Sequence, residues 1–144
     1  MSAARYFYKA YSPKMLNQIY KEKIQYRASA GMDNITPKVF GAHLTENIQI
    51  ISKKVLAGTY NFTRYREILI SKGRGKEPRV ISIPTIRDKL ALAAYHTFLQ
   101  NVFADTIEEP LLHTIVGSIS QSVLRGQYNG YVKIDTTKFY SSIN

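Results

Sequence analysis

Apolar residues in the first third of the chain recur with a helical rhythm. Met15, Leu16, Ile19, Tyr20 and Ile24 follow Ser12-Pro13 at three- and four-residue spacing. A serine able to cap, followed by proline at the first helical position, opens such a helix, which the spacing predicts over residues 13–27. Arg27 to Asn34 breaks the rhythm and reads as a loop. Thr36-Pro37 repeats the opening. Phe40, Leu44, Ile48, Ile51 and Val55 then form one buried stripe over 37–57, with Gly58 placed to end the helix. From Tyr60 the period changes. Tyr60 to Ile70 and Arg79 to Ile83 are rich in aromatic and β-branched residues and read as strands. Between them lies Ser71-Lys72-Gly73-Arg74-Gly75-Lys76-Glu77-Pro78, so residues 60–84 are expected to form a β-hairpin with a basic tip. Thr85 caps a third helix over 85–104, with Ile86, Leu90, Ala94, Phe98 and Val102 on one face.

The remainder is less regular. Residues 105–116 follow no single period, Ser118 to Leu124 fits a short helix, and Gly126 to Gly130 fits a turn. Tyr131 to Ile134 reads as a short strand interrupted by Lys133, with Asp135 at its end, and Thr136 to Asn144 reads as the start of a helix. Helices interleaved with a hairpin and a lone strand predict an α+β fold. A chain that stops in the first turn of an element is expected to be truncated or one part of a split protein.

Composition adds a partner class. The 144 residues carry 20 Lys+Arg against 10 Asp+Glu, a formal net charge of +10. A globular chain this basic is expected to meet a polyanion, of which nucleic acid is the commonest; basicity serving only solubility is the alternative. Hydrophobic residues make up 44% and charged residues 21%, which excludes a disordered tail. There is no cysteine, so disulfides and thiolate metal sites are excluded and a cytoplasmic setting is expected. The start runs into tyrosines rather than an apolar stretch, so no signal peptide is expected, and no apolar run approaches membrane-spanning length.

Three segments are candidates for chemistry. Asp135, just past an apolar strand, is placed where a carboxylate faces solvent and holds a hard cation such as Mg²⁺; a cap or turn aspartate is the alternative. The hairpin tip combines glycines, which let backbone approach a phosphate, with Lys72, Arg74, Lys76 and Arg79, and Arg66 lies on the strand before it. A solvated turn is the alternative there. Ser29-Ala30-Gly31-Met32-Asp33 before Ile35-Thr36-Pro37 is either a plain interhelical loop or a loop able to hold a backbone phosphate.

Together and in this order, the segments resemble bacterial reverse transcriptases of the group II intron maturase type, whose relatives include retron, CRISPR-associated and phage-defence enzymes. Ser29 to Asp33 is similar to the family's SAG-x-D-G-x-T segment, and Leu56-Ala57-Gly58-Thr59-Tyr60 to its L-x-G-x-Y. Arg66 to Lys72, Gly75-Lys76 and Arg79 to Lys89 resemble the fingers hairpin and the R-P-L-x-I-P-x-x-x-D-R motif that follows it. Asp135 with Phe139-Tyr140 and Ile143 resembles the first catalytic motif. The resemblance covers about Arg27 to Ile143. It implies an N-terminal segment and helix over 1–27, fingers over 28–116, and the start of a palm sheet over 117–144.

The implied activity is RNA-directed DNA polymerisation by two-metal phosphoryl transfer. Asp135 would hold both Mg²⁺ ions with the Thr136 carbonyl nearby. Arg66, Lys72 and Arg79 would contact the incoming deoxynucleoside triphosphate, and Tyr140 would pack under its sugar. The loop at 28–33 would lie near the template. The implied partners are an RNA template, a DNA or RNA primer, and the remainder of the polymerase in the same or another chain; no membrane is expected. The sequence also departs from the pattern. One extra residue separates Gly75 from Arg79, residues 113–118 replace the family's S-Y-G-F-R-P-x-R-S, and the Y/F-x-D-D motif and thumb are absent from these 144 residues, so this chain alone is expected to be inactive. A non-catalytic nucleic-acid-binding module, a template-independent or protein-primed nucleotidyl transferase, and a basic assembly domain are the other readings.

Overall fold

A computed structural model describes residues 2–106, 112–126, 128–130, 132 and 134. Its architecture is mixed helix and strand, α+β as expected, and it divides into two compact units, Met1–Ile107 and Glu108–Asn144. In the first unit the elements run α1 (Ala3–Ala10), α2 (Pro13–Ile19) continuing into a π-helical turn (Tyr20–Ile24), α3 (Pro37–Ala42), α4 (Leu44–Leu56), β1 (Arg66–Ile70), β2 (Arg79–Ile83) and α5 (Ile86–Val102). The described helix of the second unit is α6 (Leu112–Leu124). No helix among the described residues is long and apolar enough to cross a membrane.

The caps form where the sequence places them. The Ser12 hydroxyl accepts from the Met15 amide at 3.4 Å, Thr36 from Val39 at 3.3 Å, and Thr85 from Asp88 at 3.2 Å. Each satisfies an amide that the first helical turn leaves without a partner. Gly58, just past α4, sits at φ +68°, the left-handed conformation in which a helix end favours glycine. The stripes meet in one core. Leu16, Ile19, Tyr20 and Ile24 pack with Phe40, Ile48 and Ile51 and with Ile86, Leu90, Ala91 and Ala94. Burying a Leu or Ile side chain of this kind contributes about 1.5–3 kcal/mol.

Several elements differ from expectation. Residues 3–10, part of the N-terminal segment for which no helix period was evident, are helical. Phe7 lies edge-on to Phe98 with centroids 5.3 Å apart, and the Tyr11 hydroxyl donates to the Ala91 carbonyl at 2.9 Å, which fastens the N-terminus to α5. Burial, with Tyr95 adding to it, pushes the Tyr11 phenol up to about 12, so the hydroxyl remains a donor. The helix expected over 13–27 stays regular only to Ile19; the Gln25 amide then bonds back five residues to the Tyr20 carbonyl at 2.9 Å. The helix expected over 37–57 is broken at His43, which leaves the helical region and caps α3. The first strand begins at Arg66 rather than Tyr60, because Tyr60 and Thr63 turn their hydroxyls to Asp88 and so leave the ladder. The last helix starts at Leu112, earlier than Ser118. Val132 and Ile134, expected in a strand, are exposed; the rest of that segment, with Asp135, lies outside the described residues.

The loop after the π turn is set by a close approach. A Cβ on Gly31 would stand 2.6 Å from both the amide nitrogen and the Cα of Thr85. Only glycine lets the loop lie against the start of α5 at that distance. Gly31→Ala is therefore expected to lower stability by about 1–3 kcal/mol, since backbone rather than a flexible side chain must move. Thermal and urea denaturation measure this; an unchanged melting midpoint would show that the loop does not rest on Thr85.

Candidate nucleotide and nucleic-acid interface

The hairpin pairs antiparallel in the register Arg66↔Ile83, Ile68↔Ile81, Ile70↔Arg79. Side chains alternate along a strand, and opposed residues share a face. One face therefore carries Ile68, Ile70, Ile81 and Ile83 with Arg66 and Arg79 at opposite ends, while Leu69 and Val80 lie on the other. Arg66 and Arg79 stand four ladder positions apart, about 13 Å at the ordinary rise of an antiparallel strand. Lys72 lies just past Ile70, so it belongs with Arg79 at the tip end. Both are exposed, as are Arg74 and Lys76. The tip turns on Gly73 at φ +100° and Gly75 at φ +74°, and the Ser71 hydroxyl accepts from the Gly73 amide at 3.2 Å.

The base of the hairpin is built on Asp88, whose side chain is fully buried. Its carboxylate accepts from the Tyr60 hydroxyl at 2.8 Å, from the Thr63 amide at 3.0 Å and from the Thr63 hydroxyl. The segment entering β1 is thereby tied to the helix that leaves β2. Burial alone pushes the Asp88 carboxyl up, but hydrogen bonds from Thr63, Tyr60 and Thr85 outweigh it and hold the group below the usual carboxylate range. Burial, and then the bond to Asp88, raises the Tyr60 phenol.

Arg66 sits beside this base. Its Nε is buried and has no hydrogen-bond partner. It lies close enough to Lys89 to help lower that ammonium's affinity for its proton, although burial of Lys89 is the larger cause. Lys89 donates to the Ser29 carbonyl at 2.6 Å. The loop at 28–33 and the base of the hairpin are thus one construction, although 60 residues separate Ser29 from Lys89. Between them opens a cleft of about 440 Å³ lined by Met32, Asp33, Thr63, Arg64, Thr85 and Arg87, among others. Within the loop, the Asp33 carboxylate accepts from the Ile35 amide at 3.1 Å, and Asn34 takes φ +56°.

Of the residues singled out in the sequence, Lys72 and Arg79 come together at the tip, and Arg66 shares their face at the far end. Asp135, Thr136 and Tyr140 lie outside the described residues. Among the described residues no group of three His, Asp or Glu side chains gathers to hold a metal ion. The sequence reading did not single out Arg64, Arg87 or the Tyr60–Thr63–Asp88 clamp. Signals were available for part of the clamp: Tyr60 and Asp88 fall on the tyrosine and the aspartate of the two motif resemblances, and Thr85-x-x-Asp88 has a capping-box spacing, but here the acid turns to the neighbouring chain segment instead of back to its own cap. No family model matches the sequence, and no curated protein matches it.

Asp88 sets a pH dependence whose sign follows from its lowered pKa. A carboxyl held below its ordinary value of 3.8 in the fold contributes stability that is complete above that value and is lost as pH falls through the folded value. Asp88→Asn leaves a buried donor facing an amide and is expected to cost about 1–3 kcal/mol at neutral pH. The gap between the two proteins should narrow as the pH drops below 3.8. Denaturation at neutral and acidic pH checks this; a gap independent of pH would remove Asp88 as the titrating group.

Proposed function

We propose that the chain is the fingers and first palm segment of a reverse transcriptase, with RNA template, primer and deoxynucleoside triphosphates as its partners. The observation that supports this reading best is the face of the hairpin. It presents Arg66 and Arg79 at either end of an isoleucine strip, with Lys72 beyond Arg79. A triphosphate laid along that face would meet cations at both ends, and the apolar strip would exclude water from between them. The order of segments from Ser29 to Tyr140 supplies the rest of the case. In the intact enzyme Asp135 and the Thr136 carbonyl would hold Mg²⁺, which would position the attacking and leaving oxygens and offset their charge. Tyr140 would lie under the sugar. Asp135 alone does not make a two-metal site, so the second acidic motif would come from the same or another chain.

Two kinetic experiments on the intact enzyme test the reading. Arg79→Ala is expected to raise the nucleotide KM and lower kcat, with kcat/KM reduced by about one to two decades, as for loss of one charge-assisted contact. Asp135→Asn is expected to abolish several decades of single-nucleotide incorporation while melting temperature and template binding hold. A destabilised Asp135→Asn enzyme that still extends primers would end the catalytic assignment. Unchanged nucleotide kinetics for Arg79→Ala would make that residue a strand residue only.

A further inference from the structure

A second basic groove lies away from the hairpin, between the π turn and α3. It encloses about 480 Å³ and is lined by Tyr20, Lys21, Gln25, Tyr26, Lys38 and Leu44, with Gly41 in its floor. That volume falls within the usual range of small-ligand clefts, about 300–1,000 Å³, room for a nucleotide but not for a duplex.

The floor is fixed. Tyr20 is buried, its hydroxyl donates to the Pro37 carbonyl at 2.6 Å, and its ring stands 5.8 Å from that of Phe40. A Cβ on Gly41 would come within 2.5 Å of the Tyr20 hydroxyl oxygen, so glycine is what lets α3 lie on that ring. The rim is of a different character. Tyr26 is 86% exposed, so the face of its ring is open to a stacking partner. Lys21 and Lys38 stand in the lining, which contains no carboxylate. The acid next in sequence, Glu22, accepts from Gln18 at 2.9 Å along its own helix. The π turn, where an extra residue is accommodated per turn, immediately precedes Gln25 and Tyr26.

We infer that this groove binds single-stranded nucleic acid, with one unpaired base stacked on Tyr26 and the adjoining phosphates neutralised by Lys21 and Lys38. An exposed ring supplies a π face that any base matches, and flanking ammonium groups track the backbone; together these are the two elements of sequence-tolerant single-strand binding. Charge complementarity with a chain of net charge +10 points the same way. An acidic peptide would satisfy the lysines but has no flat face for Tyr26. The inference rests on the nucleic-acid part of the proposal above and extends it to a different surface.

Fluorescence anisotropy of the whole chain with a labelled oligothymidylate of about twelve nucleotides, a length near single-domain site sizes, tests it across a salt series. Lys21→Ala and Lys38→Ala should each flatten the log–log salt slope by about 0.7, the value for one phosphate on a single strand. Tyr26→Ala should keep the slope and weaken binding roughly tenfold, as for loss of one stacked base, while Tyr26→Phe binds as the native chain does. On an abasic oligonucleotide, Tyr26→Ala and the native chain should bind alike. Wild-type affinity for Tyr26→Ala, or an equal loss on the abasic strand, would overturn the inference. Polyglutamate that displaces the strand at equal charge, with Tyr26→Ala indifferent to it, would assign the groove to an acidic peptide and overturn it as well. The assay contains neither metal nor nucleoside triphosphate, so failure of the polymerase reading in the Arg79 kinetics leaves this result standing, and the converse holds.

Discussion

A fully buried carboxylate in the middle of a basic chain is costly unless hydrogen bonds replace the water it gives up. Asp88 meets that condition by drawing Tyr60 and Thr63 onto the first turn of α5. The described sheet has only two strands, and a two-stranded ribbon is marginal on its own in water. The clamp does for this ribbon what a third strand or a covering helix does elsewhere. It fixes both stems, and α5 transmits that anchorage to the core through Ile86, Leu90 and Ala94 and to α1 through Phe98 and the Ala91 carbonyl. The loop carrying Gly31 rests on the same corner, held by Lys89.

What could be read from the sequence was what depends on local chemistry. Ser12, Thr36 and Thr85 announced their caps because side chain and amide lie three residues apart, and the stripes through Leu16, Ile51 and Leu90 showed themselves by period. What escaped depends on partners distant in the chain. The helix at Ala3–Ala10 buries little beyond Phe7 and Ala10, so its apolar stripe is too short to stand out among tyrosines. Tyr60 to Thr63 has strand composition, yet its hydroxyls are committed to an acid 25 residues or more away. Nothing in Tyr20-Lys21-Glu22-Lys23-Ile24 marks a π turn, and only Gly41, a weak helix former, hints at the break at His43.

The candidate site divides along the same line. Glycines and cations at the hairpin tip were evident as composition, and the alternation of strands then decided which of them share a face. The neighbourhood of Arg66 was not evident. Its buried Nε, Lys89 and the Ser29 carbonyl meet only once the loop and the hairpin base have come together. Positive charge is also more widely distributed than the hairpin motif suggests, since Arg64 and Arg87 line one cleft and Lys21 and Lys38 another.

The short ribbon anchored at one end behaves as a lever. Five-residue strands extend about 17 Å at the usual rise per residue, so a 10° rotation at the stems would carry the tip through about 3 Å. That is the span of a hydrogen bond. A change at the Asp88 corner too small to disturb the core would therefore suffice to bring Lys72 and Arg79 into contact with an anion or withdraw them from it. The stiffness of three hydrogen bonds at the base governs the reach of charges that take no part in them.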